Sequence, residues 1–177
     1  MAQYDPSCGE CLVFTYKEGL LSAVAHDLKI KVGGWRVEVD AARSAIVASF
    51  DPTTLSVVCA MRDGREAPGV ISSKDAQKID ASIQTDVLAA KQHREIRFCS
   101  TQVSEEGTGY VVDGELTLAG RTRSVRAQVR REGAELVTEL RLHQPDFGIK
   151  PFSALFGALK VQPDLVVRLS VTAPATA

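Results

Sequence analysis

The stretch from Gly114 to Val125 constrains the fold of this chain more than any other. Apolar residues before and within it recur at every second position, namely Tyr110, Val112, Leu116 and Leu118. A polar turn follows, and then apolar and polar residues alternate again from Val125 to Arg130. A period of two is typical of strands with one buried face. The stretch therefore predicts a β-hairpin that packs one side against an interior.

The same pattern recurs along most of the chain, in ten candidate strands separated by turns rich in Gly, Pro and Asp. These strands are predicted at 11–17, 20–32, 35–40, 44–50, 54–61, 95–104, 109–119, 123–132, 134–142 and 164–172. Helices and strands do not alternate, which favours an antiparallel sheet. Strands in succession favour a closed or nearly closed barrel of about eight strands, although a sandwich would show the same alternation.

One segment follows the helical period instead. Its apolar residues lie three and four positions apart, at Ala76, Ile79, Ile83 and Val87. Ser72 precedes Asp75 by three positions, a spacing that resembles an N-cap followed by an acidic first turn. The pattern predicts an amphipathic helix at about 72–90 that covers an edge or an end of the sheet.

Composition indicates one ordinary globular domain spanning residues 1–177. The formal net charge of −1 gives no field that would attract nucleic acid or an anionic membrane by charge alone, and no apolar run reaches the length of a membrane span. The N-terminus shows no signal peptide, so we expect a cytoplasmic protein. A leader removed before residue 1 would instead indicate the periplasm.

Cysteines and histidines give no metal or redox motif. Cys8 and Cys11 have C-x-x-C spacing but run directly into a predicted strand, so we interpret them as incidental free thiols. His26 is followed by Asp27, which points to the other face of a strand and is poorly placed to orient it. We therefore expect no catalytic residue, metal or cofactor.

Four motifs, in order, resemble those of the YceI-like family of lipocalin-like, polyisoprenoid-binding proteins. They are His26–Ile30 with Trp35, Asp86–Phe98, Gly114–Val125 and Asp146–Pro151. The resemblance implies an eight-stranded antiparallel barrel flanked by one helix. It also implies a binding protein, not an enzyme, whose interior holds an amphipathic lipid that is isoprenoid or fatty-acid-like.

The pattern alone favours a solid core, because small barrels are usually filled by side chains, whereas the resemblance favours a cavity. The predicted cavity walls are Phe14, Phe50, Phe98, Tyr110, Val112, Leu116, Leu118 and Leu140. The apolar segment from Asp146 to Leu159 is predicted to be either a lid over the cavity mouth or a plug. Its lid or mouth residues are Phe147, Phe152, Leu155 and Phe156. His26, Arg121 and Arg123 are candidates for contact with a lipid head group.

Two other functions stay open on the sequence. One is an enzyme that acts on a lipid-like substrate with His26 as the base. The other is a non-catalytic structural or interaction module with a filled core, which could form a homodimer through an exposed strand.

Overall fold

The computed structural model describes residues 1–18, 25–42, 44–154, 157 and 159–172, which form a mainly β protein. Its strands are β1 (Ala2–Tyr4), β2 (Gly9–Glu18), β3 (Asp27–Val32), β4 (Trp35–Asp40), β5 (Ala45–Phe50), β6 (Leu55–Arg62), β7 (Arg65–Ala67), β8 (Ile96–Glu106), β9 (Gly109–Leu118), β10 (Arg121–Glu132), β11 (Glu135–His143), β12 (Ser153–Ala154) and β13 (Leu159–Thr172). The helical elements are α1 (Ser73–Ser82), a π-helical turn (Ile83–Val87) and two 3-10 helices (Pro52–Thr54 and Gln144–Phe147).

All strands belong to one antiparallel sheet, whose hydrogen-bonded path runs β1-β4-β5-β8-β9-β10-β11-β13-β2-β3-β6-β7, with β12 paired to β13 beside the path. The prediction of eight strands is wrong, because this path contains twelve. Short strands β1 and β7 extend its two ends. In addition, Gly33–Gly34 separates β3 from β4, and Asp51–Thr54 separates β5 from β6. The broader prediction of a curled antiparallel sheet with one helix is confirmed.

The two interruptions lie opposite each other and are joined by hydrogen bonds. The Asp51 N–H donates to the Gly34 carbonyl (2.8 Å), and the Gly33 N–H donates to the Thr54 carbonyl (3.1 Å). The Gly34 N–H donates to Thr54 Oγ1 (2.8 Å). A Cβ at Gly34 would lie 3.1 Å from Thr54 Cγ2, tighter than most real contacts. Glycine is therefore favoured at this position by a close approach of side chains.

This kinked pair of segments bends the sheet back on itself. β3 and β6 pair with each other and continue the sheet from β2. β4 and β5 pair with each other and continue the sheet from β8. Because β3 leads into β4 and β5 leads into β6, the two ends of the hydrogen-bonded path are held near the same bend. The sheet thus curls around an interior.

The predicted helix is present as α1 and the π-helical turn after it. The Asp75 N–H donates to Ser72 Oγ (3.1 Å), which is the expected N-cap. Asp80 Oδ1 accepts from the Val57 N–H at the edge of β6 (2.7 Å), and Gln84 Nε2 donates to the Thr53 carbonyl (3.0 Å). The helix thereby occupies a strand edge that would otherwise leave donors unpaired. Within the described ranges, no helix is long and apolar enough to cross a membrane.

The outer wall of the sheet also contains a fully buried residue, Val137, which is 0% exposed. It lies opposite Arg130 in the β10–β11 pair. Ion pairs link the charged groups around it: Arg130 to Glu132 (3.8 Å), and Arg168 to Glu132 (3.6 Å) and Glu139 (3.8 Å). The long stems of these side chains can cover apolar surface while their charged ends stay in water.

We expect Val137→Ala to lower the free energy of unfolding by about 2 kcal/mol, because it removes two fully buried methyl groups. Urea denaturation measures the change. Val58→Ala is the matched control, because Val58 is 49% exposed on β6 and should give a change within about 0.5 kcal/mol. Equal losses in the two variants would contradict the burial of Val137 beneath the ion pairs.

Candidate functional site

The curled sheet encloses a cavity of about 1330 Å³. Nearly every strand contributes inward-facing residues to it, and α1 and the π-helical turn complete one side. This volume exceeds the roughly 300–1,000 Å³ of most small-molecule sites. The interior is therefore hollow, unlike the filled core that the strand pattern alone favours.

Alternation along the strands makes the cavity walls apolar. In β13 every second residue lines the cavity, at Leu165, Val167, Leu169 and Val171. β9 and β11 follow the same rule. From α1 and the turn after it, Ile79, Ile83 and Val87 face the same space, as the helical period predicts. Such walls suit a hydrocarbon chain, which needs no hydrogen-bond partner.

Seven of the eight predicted wall residues line the cavity. They are Phe50, Phe98, Tyr110, Val112, Leu116, Leu118 and Leu140. Phe14 does not, because the cavity face of β2 carries Cys11, Val13 and Thr15. Both faces of β2 are apolar, and the outward-facing Leu12 is only 5% exposed. Hydrophobic alternation alone therefore could not show which face of this strand points inward.

The segment after β11 contributes to the cavity in part. Phe152 and Gln144 line it, and Gln144 Nε2 donates to the Gln162 carbonyl (3.0 Å). Phe147 does not line the cavity, since it is packed into the core at 3% exposure. Whether the segment acts as a lid or as a plug stays a prediction. Leu155 and Phe156 lie outside the described residues.

Of the three head-group candidates, the structure places only His26 at the cavity. Asp27 is turned away from it and accepts a hydrogen bond from the Lys17 N–H (2.7 Å). Arg121 and Arg123 are exposed and do not line the cavity. They share the parity of the cavity residue Val125 but lie at the end of the strand, beyond the enclosed space. Their contact with a lipid head group at the rim therefore stays a prediction.

Two charged residues that were not predicted, Glu105 and Arg131, join the predicted wall residue Tyr110 at the other end of the cavity, next to the β8–β9 and β10–β11 turns. We call Glu105, Tyr110 and Arg131 the polar rim, all three of which line the cavity. Glu105 lies opposite Tyr110, and Tyr110 lies opposite Val129, two residues from Arg131. Strand parity could have found Glu105 and Arg131, because each shares the face of apolar wall residues.

Tyr4 adds a hydroxyl group to the cavity wall. Burial raises the pKa of Tyr4, and the neighbouring Cys8 and Tyr110 raise it further. The phenol therefore keeps its proton at neutral pH and can donate a hydrogen bond. The polar rim and Tyr4 together offer donors and acceptors to a ligand group.

The C-x-x-C pair does not form a joint site. Cys11 is buried in the cavity wall, whereas Cys8 precedes β2 and donates its thiol hydrogen to the Asp5 carbonyl (3.3 Å). Both thiols are free. Across the part of the chain that the structure describes, no group of three or more His, Cys, Asp or Glu side chains could hold a metal ion.

Cys11 makes the stability of the fold depend on pH in the alkaline range. Burial, followed by the charge of Glu10, raises the pKa of the Cys11 thiol from 9.0 to about 12. Above about pH 9 the unfolded chain loses this proton while the folded chain keeps it, so stability falls as pH rises. From pH 8 to pH 10, we expect the free energy of unfolding of the parent to fall by about 1.4 kcal/mol more than that of Cys11→Ala. Urea denaturation at both pH values measures it, and parallel profiles would contradict the prediction.

Gly114 holds the ring of Phe98 against the cavity wall. A Cβ at position 114 would collide with that ring and would lie 2.6 Å from the Cys99 carbonyl oxygen. Glycine is needed here for close approach, and any side chain would push the phenyl ring toward the lumen.

We expect Gly114→Ala to destabilise the protein by about 1–3 kcal/mol through this overpacking. Phe98→Leu should relieve part of the strain, so the double variant should be more stable than the sum of the single effects. Chemical denaturation of the four proteins in the cycle gives the coupling energy. Strict additivity would show that the ring does not rest on Gly114.

Comparison with known proteins relates this fold to a family. The YceI-like domain model matches residues 12–173. BcnA of Burkholderia cenocepacia has a similar structure, with 14% identity, a TM-score of 0.64 and coverage of 94% of this chain and 96% of that one. A polyisoprenoid binding domain from Saccharophagus degradans, implicated in plant cell wall breakdown, gives 11% identity, a TM-score of 0.58 and coverage of 98% and 99%.

The YCEI protein of Campylobacter jejuni is more distant in structure, with 14% identity, a TM-score of 0.50 and coverage of 69% and 71%. No curated protein sequence matches this chain. Likeness at such low identity concerns the fold, whereas the domain model compares sequence over almost the whole chain. This match, and the curled sheet around a cavity, show that the chain belongs to the YceI-like domain family.

Proposed function

We propose that this protein binds an amphipathic lipid and sequesters or carries it with the tail inside the cavity, without turnover. The observation that carries the proposal is the hollow interior of about 1330 Å³ with walls that are apolar on almost every strand. The expected ligand has an isoprenoid or fatty-acid-like chain. The similar fold of the polyisoprenoid binding domain from Saccharophagus degradans supports this class.

The driving force is the removal of apolar surface from water. Each buried methylene contributes about 0.8 kcal/mol, so ten would offset the several kcal/mol that immobilising a ligand costs. A cavity that runs along β9 from Tyr110 to Leu118 is about 26 Å long at the usual rise per strand residue. That length accommodates a long chain rather than a compact molecule.

Two positions at the cavity can bind a polar group of the ligand. The polar rim offers a phenol, a guanidinium group and a carboxylate near the start of β9, and His26 lies at the start of β3. At either place a neutral head group could form hydrogen bonds without leaving a buried charge unpaired. The tail then lies against the apolar walls between them.

Among the residues that the structure describes, none holds His26 in the way that a catalytic base requires. Asp27 accepts from the backbone of Lys17 and so does not orient the imidazole. A general base needs such an orienting group, or a substrate in place, to act efficiently. We therefore propose binding rather than chemistry.

The direct test is organic extraction of the purified protein followed by mass spectrometry, together with titration of a lipid panel that varies in chain length. We expect a co-purified amphiphile, or binding that strengthens with chain length and raises the melting temperature. A protein that carries no lipid and binds no member of the panel would overturn the proposal.

A cavity-filling substitution localises the binding. We expect Val167→Trp, which adds an indole to the cavity wall, to weaken lipid binding at least about tenfold by displacing chain from the lumen. Val166→Trp is the matched control, because Val166 is the next residue and faces outward opposite Phe14. Circular dichroism confirms that both variants fold. Equal affinities in the two variants would place the binding outside the cavity.

A further inference from the structure

Five basic side chains gather at the end of the sheet where β9 turns into β10. We call this set the basic end, and all of its members are exposed: Lys91, Arg94, Arg121, Arg123 and Lys150. They come from three separate segments, which precede β8, begin β10 and follow the 3-10 helix Gln144–Phe147.

Close contacts bring the three segments together. A Cβ at Gly120, in the β9–β10 turn, would lie 2.8 Å from the imidazole of His93. A Cβ at Gly148 would lie 2.6 Å from the guanidinium group of Arg121. The turn between β9 and β10 is therefore flanked by the segment of Lys91 and Arg94 on one side and that of Lys150 on the other.

Across the described ranges, the cations of the basic end have no acidic partners. None of the five forms an ion pair with any residue in the described ranges. Arg126 and Arg130, farther along β10, do form such pairs, with Asp113 (3.4 Å) and Glu132 (3.8 Å). Among the described residues, Asp86, Glu115 and Asp146 are the adjoining carboxylates that form no ion pair, and Glu95 is paired with Arg97 (3.9 Å). Positive charge is therefore in excess here.

The opposite end of the strands has the opposite sign. Four carboxylates flank the β8–β9 and β10–β11 turns, at Glu105, Glu106, Glu132 and Glu135, against the two cations Arg130 and Arg131, so this end has an excess of two negative charges. The chain as a whole carries a formal charge of only −1. The protein is thus dipolar along its strands, and a negatively charged surface would orient it with the basic end first.

The basic end also adjoins the cavity. The segment that carries Gly148 and Lys150 contributes Ile149 and Phe152 to the cavity lining. Leu118, the last residue of β9 before the turn, lines it as well. A surface that meets the basic end therefore meets the same end of the cavity.

We propose that the basic end docks this protein onto an anionic lipid surface. The inference goes beyond ligand binding, since it concerns where the protein meets its lipid. A membrane fits better than a nucleic acid or an acidic protein, because the cations are spread over three exposed segments beside an apolar cavity end. Each basic residue near an anionic bilayer strengthens binding roughly fivefold, and the attraction fades within about 10 Å at 0.1 M salt.

The test is flotation of the full chain with vesicles of phosphatidylcholine alone or with one quarter phosphatidylglycerol. We expect binding to the anionic vesicles only, and its loss in 0.5 M salt. Arg121→Glu with Arg123→Glu should weaken binding at least about 25-fold. Arg126→Glu with Arg130→Glu is the matched control, on the same strand and with the same change in charge, and should stay within about threefold of the parent.

Binding to neutral vesicles at the same strength would overturn the proposal, and so would equal losses in the two double variants. Capture by DNA or polyglutamate in preference to anionic vesicles would assign the basic end to an acidic polymer and also overturn it. Docking and ligand binding can be tested separately. Val167→Trp should still dock, and the Arg121/Arg123 variant should still bind lipid in solution, so failure of one proposal is distinguishable from failure of the other.

Discussion

The bend at Gly34 is the constraint on which the rest of the structure depends. The Gly34 carbonyl accepts a hydrogen bond from Asp51 and the Gly34 N–H donates one to Thr54, and these bonds hold two interrupted strands at the same point along their length. One half of this bent pair joins β2, and the other half joins β8. An unbent pair would extend an open sheet, and its apolar face would then require a second layer to cover it. The bend instead lets one sheet supply both walls of the interior.

The fold and the site were predictable where one face of a strand is clearly more apolar than the other. In β9 the polar Asp113 and Glu115 mark the outer face, so Val112 and Leu116 were correctly placed at the interior. In β2 both faces are apolar, and Phe14 was assigned to the wrong one. Alternation shows which face of a strand points inward only when the other face is polar. It cannot do so when a strand is buried on both faces.

The sequence was less informative about where each strand ends and about the number of strands. Arg121 has the parity of the cavity residue Val125, yet it extends past the enclosed space because the strand outlasts the cavity. The ten candidate strands already include the breaks at Gly33–Gly34 and Asp51–Thr54, but they lack β1 and β7, which are only three residues long and too short to show alternation. Ser72, in contrast, marked the helix start correctly, because an N-cap is a local interaction between residues three apart.

The positions of the polar rim and the basic end restrict the ligand that both proposals would share. Tyr110 and the β9–β10 turn lie at opposite ends of one strand, about 26 Å apart. In a bilayer the head group lies at the surface and the tail lies inside. A lipid that moves directly from the bilayer into the docked end of the cavity therefore enters with its head group first. If the polar rim rather than His26 binds it, the head group must then pass the apolar walls to reach Tyr110 and Arg131. A charged group would lose its hydration along the whole path, whereas a small uncharged one would lose far less. Loading from the basic end therefore favours a long-chain lipid with a small, uncharged, hydrogen-bonding head group.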